Sequence, residues 1–326
     1  MTRTNDLGLL ERDAVLRAGT GRELIVGTGA DRIRFLHGIV TGNVAGAPVG
    51  SGCLSALLTA KGHVVADMRL FVREDAIWIV VDGGQGETVA GMLSRYAIMD
   101  DFAAALRPDF AFSALLGPAA AARLAAIGAD PGTLAEVPVF SHAEVDAGGG
   151  ARLWLARVRE LDSNGFWLGG PPATLTAVHE RLAAAGVPEL EPAAAEAARI
   201  AAVEPRLGAE ITADYFPMEV GLNRAIDYGK GCYLGQEPIV RIRDRGHINW
   251  RLVGLDVAGA TDPAPQDALE SDAKPKAGRV TSAGRLPDGR GVALAMLHTS
   301  IPVGATIRIR HGDAPIEARV RAEVSK

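Results

Sequence analysis

The sequence predicts an α+β fold, with strands and helices mixed rather than alternating, and three observations carry that reading. Between residues 53 and 82 the β-rich runs "CLSALLT", "HVVADMRLFV" and "AIWIVVD" are joined by the short polar turns "TAKG" and "REDA", the pattern of an antiparallel meander. Blocks of helix formers bounded by glycine or proline follow. After Trp250 the chain changes to short β runs separated by glycine, proline and aspartate, which predicts a small all-β barrel.

In chain order, "RELIV" at 22–26 reads as a strand, and "GTGADRIRFLHGIVT" as a turn into a helix, with Ile33, Leu36 and Val40 near helical spacing. Gly27 and Gly29 do not open a dinucleotide loop, because the third glycine of that motif would fall on Arg32. "GETVAGMLSRYAI" and "GPAAAARLAAIG" predict helices, and "ARLWLARV" and "GFWLGG" return to strand. Within 172–203, "PATLTAVHERLAAAG" and "PAAAEAARIAAV" each open with proline in the first turn, where its missing N–H costs nothing. The barrel runs are "RLVGLDV", "AGRVTSAG", "GVALAMLH", "ATIRIRHG" and "IEARVRAEV", with 258–278 read as a long polar loop among them. The apolar window 110–129 is broken by Gly117, Pro118 and Arg123, so it predicts a strand running into a soluble helix and no membrane span. The first residues lack a signal-peptide core, and export is not predicted.

A chain of 326 residues, 48% apolar and 22% charged, has room for two or three domains. Its net charge of −5 argues against a dedicated nucleic-acid binder. The two cysteines, Cys53 and Cys232, cannot build a disulfide framework, which points to a reducing cytoplasm. Neither cysteine has histidines at ligand spacing and no C-x-x-C occurs, so no metal site is predicted. A permanently held cubane would take four cysteines.

The most informative stretch is "YGKGCYLGQEPIVRIRDRG", 228–246. A helix opening near Pro238 and closed by Gly246 would set Cys232 just before a helix amino terminus. The exposed N–H groups, with Lys230 two residues upstream, would favour thiolate over thiol. Gly231 and Gly235 would let the backbone approach a ligand or take positive φ. Against this stands the commoner fate of an isolated cysteine, a small buried hydrophobe, which is the reading for Cys53 on its alternating run. Arg241, Arg243, Arg245 and Arg251, with His247 and Trp250, read first as one solvated helix face and second as a phosphate or RNA surface.

"KGCYLGQE" resembles the signature of the YgfZ family, folate-binding proteins related to the glycine cleavage T-protein and to mitochondrial iron–sulfur assembly factors. The surrounding "FPMEVGLNRAIDYGKGCYLGQEPIVRIRDRGHINWRL" resembles the family's central block. "GADRIRFLHGIVTGNV" and "LLTAKGHVVADMRLF" resemble the amino-terminal blocks, and "AGRVTSAG" with "GVALAML" the carboxy-terminal barrel. The resemblance implies a three-domain cloverleaf around a central channel for tetrahydrofolate or a substituted folate. It divides the chain into a folate-binding region of two interleaved α+β domains, 1–248, and a barrel, 249–326.

The resemblance further implies Cys232 and Asp67 as the chemically active residues. It places Asp67, Glu219, Lys230, Gly231, Tyr233, Gln236, Glu237 and Arg241 at the cofactor, with Gly235 inside the same motif. A carboxylate at Asp67 suits stabilising charge or relaying a proton at a ring nitrogen. The implied activity is accessory: assembly or repair of iron–sulfur clusters, especially in enzymes that modify tRNA, with client or assembly proteins as partners. The alternative is a tetrahydrofolate-dependent aminomethyltransferase, and a third reading is an RNA-binding module. The chain departs from the family's "R-I-x-A-G-I-P" block at 199–208, with Val203 and Glu204 replacing glycine and an apolar residue, and from the transferases at Ala201.

Overall fold

The computed structural model describes residues 2–148, 150–272, 274–312 and 314–323. These form two compact units. The first takes residues up to 57, 66–191 and 225–234; the second takes 58–65, 192–224 and the chain from 235 onward. The barrel segment therefore shares its unit with the 58–65 turn, the 192–224 stretch and residues 235–249.

The first unit begins with β1 (Arg3–Thr4), α1 (Leu9–Arg12), β2 (Val15–Arg17), β3 (Arg22–Thr28) and α2 (Arg32–Ile39). The meander follows as β4 (Gly52–Leu58), β5 (Val64–Val72) and β6 (Ile77–Asp82), then α3 (Gly86–Tyr96), β7 (Ala103–Leu106), β8 (Ala111–Leu116) and α4 (Ala120–Ala126). β9 (His142–Asp146), β10 (Arg152–Glu160), β11 (Ser163–Gly170), α5 (Pro172–Ala184) and β12 (Glu189–Leu190) complete it. One sheet runs β4-β5-β6-β3-β7 and the other β1-β12-β2-β8-β11-β10-β9. β5 and β6 pair antiparallel, as their short turn predicts. The β10–β11 turn rests on Leu161 and Asp162, both at positive φ, the two-residue geometry that matches strand twist.

The second sheet is buried on both faces. Leu16, Leu115, Leu153, Leu155 and Leu168 of the second sheet pack with Leu124 of α4 and Leu175, Val178 and Leu182 of α5. An aromatic seam joins the two sheets: Phe71 on β5 meets Trp154 on β10 edge to face, with centroids 4.8 Å apart, and Trp78 on β6 lies 5.4 Å from Trp154. Such pairs hold the sheets in one register beyond what their buried area contributes.

The second unit contains α6 (Pro192–Ala201), α7 (Gln236–Arg245) and the strands β13 (Trp250–Val257), β14 (Ala268–Ser271), β15 (Lys274–Arg285), β16 (Gly291–His298), β17 (Thr306–His311) and β18 (Ala314–Glu323). The six strands close in the order β13-β16-β15-β14-β17-β18. β17, "TIRIRH", alternates buried isoleucine with exposed polar residues, the period-2 signal that made it legible. The long loop expected at 258–278 is corrected: it contains β14, and β15 begins within it. β14 is four residues of mixed polarity, too short and too polar to announce itself.

α6 packs on β15 and β16 through a saturated charge knot. Arg199 donates Nε and Nη2 to Glu196, Nη1 to the Glu204 carbonyl and to Glu210, and Nη2 also to Ser282 Oγ at 2.9 Å. Glu210, wholly buried, also accepts from Ser282 Oγ at 2.6 Å and from the Arg206 N–H at 3.0 Å. The departures noted in this block fall on the same knot. Glu204 offers its carbonyl to Arg199, and Val203 sits at φ 55, a left-handed position costly for a β-branched residue.

Candidate functional site

The motif is split between the units, and each half is anchored by its own neighbours. In the first unit, Thr41 Oγ donates to the Ala225 carbonyl at 2.6 Å and its own carbonyl accepts from the Asp227 N–H at 3.0 Å. Ser55 Oγ accepts from the Gly42 N–H at 2.8 Å, fastening β4 to the same turn. Lys230 then reaches the end of α2. Its ammonium donates to the carbonyls of Val40 at 2.7 Å, Gly42 at 2.9 Å and His37. Three carbonyls at a helix carboxy terminus use all three ammonium donors. Burial lowers the Lys230 amine to about 8, with Cys53 and Asp227 acting against it. The charge that the sequence offered to Cys232 is thus engaged by the backbone of 37–42.

Beyond this clamp, Tyr233 buries its ring 5.4 Å from the Lys230 ammonium. A Cβ on Gly231 would meet nothing within 4 Å. Cys232 is exposed. Cys53 is its opposite: half-buried on β4, its thiol is pushed up to about 11 by burial. Of the two sulfurs, only Cys232 is presented to solvent on a loop whose base is fixed.

In the second unit Gly235 opens α7 at φ 78, and a Cβ there would lie 2.3 Å from the Thr59 carbonyl oxygen. Gly62, at φ 79, faces Pro238 in the same way. The two glycines let α7 start directly on the β4–β5 turn. Ile239 is the buried anchor of this helix. Glu237 and Arg241 form an exposed pair at 2.9 Å, while Gln236 is half-buried. Arg243 pairs with Asp244, and Arg251 belongs to β13, where it donates to the Ile301 carbonyl and Glu323. The arginine run is therefore no single face. Glu219 accepts from the backbone N–H of Phe216 at 3.0 Å and of Trp250 at 3.3 Å, so both its oxygens staple a turn to β13.

Asp67 lies in the first unit, on β5, and is 2% exposed. Arg69 Nη1 donates to its Oδ2 at 2.8 Å, while Oδ1 is buried with no partner. Burial raises its carboxyl above the usual range, with Asp82 acting the same way and Arg69 opposing both. Arg22, on β3, stacks its guanidinium 4.0 Å from the Trp167 ring centroid and donates Nη2 to Glu160 at 2.9 Å. Its Nε and Nη1 are buried and unpartnered. Glu160 also accepts from Trp167 Nε1 at 2.7 Å and from Arg17. Burial pushes the Glu160 carboxyl up, but Arg22, Arg17 and these hydrogen bonds bring it down to about 2.

Sequence reasoning named Asp67 but missed Arg22, Arg69, Asp82, Glu160 and Trp167. One signal was available: Asp67 and Arg69 stand two apart inside "VVADMRLFV", so two opposite charges share one face of a buried strand. Among the described residues, no group of three or more His, Cys, Asp or Glu is placed to hold a metal ion. No described helix is long and apolar enough to cross a membrane.

Two sheets of this topology, a closed six-stranded barrel and a glycine-rich motif between them in sequence define a protein with the fold of aminomethyltransferase T. A solved structure of glycine cleavage system aminomethyltransferase T from Bartonella henselae matches at a TM-score of 0.86 and 22% identity, covering 97% of this chain and 87% of that one. The chain belongs to the family described as the GCVT N-terminal domain, whose model matches residues 21–230. The tRNA-modifying protein YgfZ of Yersinia enterocolitica is 26% identical over 292 residues, 88% of this chain and 85% of that protein. YgfZ of Yersinia pseudotuberculosis matches at the same identity and coverage. A putative chloroplastic transferase of Arabidopsis thaliana is 26% identical over 78% of this chain and 58% of its own length. The YgfZ recognition made on "KGCYLGQE" is borne out by these relatives.

Proposed function

We propose that this chain is a folate-binding accessory protein that supports assembly or repair of iron–sulfur clusters in the cytoplasm, with Cys232 as its working thiol. The observation that carries the reading is the contrast between the sulfurs: Cys232 exposed on a clamped loop, Cys53 half-buried with a raised thiol. A thiol so presented suits ligation of iron or attack on a small electrophile, since it reaches partners without displacing the core. Relatives described as tRNA-modifying proteins favour enzymes of tRNA modification as the clients.

The residues around Asp67 fit a folate. Asp67 Oδ1 is a buried acceptor without a donor, and Arg22 Nε and Nη1 are buried donors without an acceptor, a complement to a ring edge that carries both. Bound tetrahydrofolate would supply nitrogens able to carry a one-carbon unit. Asp67 would hold or move a proton at Oδ1, and Arg69 would fix the carboxylate through Oδ2. No part in folate binding is proposed for Glu219, whose oxygens are both taken by backbone N–H groups.

Two experiments test the reading. Calorimetric titration with tetrahydrofolate should give saturable binding that Asp67→Asn abolishes, and a flat titration of the unaltered protein would remove folate from the account. Cys232→Ala should fail to complement a strain lacking its own family member while folding normally; full rescue would remove Cys232. The second reading, aminomethyl transfer, is favoured by the presence of Asp67 on this fold. Tetrahydrofolate-dependent release of ammonia from an aminomethylated carrier protein, lost in Asp67→Asn, would put it first.

A further inference from the structure

Asp67 is 2% exposed, so a proton that reaches it from solvent must pass through a neighbouring group. The register of the first sheet identifies that neighbour. β5 and β6 pair Met68 with Val81, which sets Asp67 opposite Asp82, and β3 and β6 pair Arg22 with Asp82. Arg22, Asp82 and Asp67 thus form one row across three strands, with directly opposed side chains about 5 Å apart at Cβ. Arg69 occupies the next position on the Asp67 face of β5.

The groups facing this row differ in what they can carry. Arg69 and Arg22 are guanidinium groups, which keep their protons at neutral pH. Glu160, facing from β10, has its oxygens filled by Arg17, Arg22 and Trp167 Nε1. Asp82 is different. It ends β6 and is half-buried. It alone in the row is a carboxylate that borders both Asp67 and solvent.

We propose that Asp82 is a relay residue for Asp67, passing a proton between solvent and Asp67 Oδ1. Each transfer breaks one O–H bond as the next forms, so protons and charge balance without a redox partner. Arg69 holds Oδ2, which leaves Oδ1 as the oxygen that exchanges. The use made of the proton rests on the folate reading; the pair itself does not.

The test is a carboxyl carbon NMR titration of the full chain labelled at aspartate, with no folate present. Asp67 should titrate above the ordinary aspartate range. Asp82→Asn should lower the Asp67 midpoint by about one unit or more, the scale on which neighbouring carboxylates interact. Asp82→Ser, read in the same way, decides the matter should Asp82→Asn fold poorly. An Asp67 curve unmoved by either substitution overturns the proposal. In a separate arm, the pH limb of tetrahydrofolate affinity should shift in Asp82→Asn. If the unaltered protein binds no tetrahydrofolate at any pH, the folate reading fails while the NMR curves still decide the pair.

Discussion

Arg199 in the second unit and Arg22 in the first are both buried arginines facing a buried glutamate, yet they are solved differently. Arg199 places all three guanidinium nitrogens on acceptors, and Glu210 receives donors at both oxygens. Arg22 leaves Nε and Nη1 without partners, and Asp67 nearby leaves Oδ1 bare. A saturated knot is what a structural tie requires, because each desolvated group is repaid by a hydrogen bond. Unfilled buried donors and acceptors side by side cost stability and persist where something else is to be bound. The first arrangement ties α6 to the barrel strands; the second leaves buried polar atoms open, as the proposed folate site requires.

The largest effect that can break this contrast is Arg199→Ala, which leaves Glu210 buried without its cation. A loss of about 3–5 kcal/mol is expected in denaturant unfolding, and a loss no larger than that of Asp67→Asn would erase the distinction. Next is the pH dependence of Glu160. Its folded carboxyl, near 2, lies below the ordinary value of 4.5, so its contribution is complete above 4.5 and disappears as pH falls toward 2. On the order of 3 kcal/mol of acid-limb stability should vanish in Glu160→Gln, read from melting temperatures across that window. Asp67, whose carboxyl is raised, contributes with the opposite sign: acid relieves it.

Gly235→Ala should cost about 2 kcal/mol, from positive φ and the approach to Thr59, and should loosen α7 as seen by amide exchange. A cost near zero would mean that the helix start is not held against the β4–β5 turn. Asp67→Asn should change stability by less than about 1 kcal/mol, because it removes a poorly solvated charge, while abolishing folate binding. The smallest effect is Cys232→Ser, within about 0.5 kcal/mol for an exposed side chain. Cys53→Ser, which places a hydroxyl in a half-buried site, should cost more.

Legibility followed the range of the signal. The meander, the proline-led helices α5 and α6 and five of the barrel strands were written in local periodicity and turn chemistry, and they stand in the structure. β14 was missed because four residues of mixed polarity carry no period. At the site, Cys232 and the glycine at 235 were readable, since a motif is contiguous. Lys230 was readable as a residue but not as a clamp, because its three acceptors lie nearly two hundred positions upstream.

Order along the chain was enough to establish the α+β class, the closing barrel and the family, because strand alternation, helix ends and an eight-residue signature are all short-range properties. Which buried charges are quenched and which are left open could be learned only from the folded arrangement. Glu160 meets Arg22 from 138 positions away, and strand register alone brings Asp82 beside Asp67. A charge is satisfied or exposed by its neighbours in space, and sheet pairing chooses those neighbours.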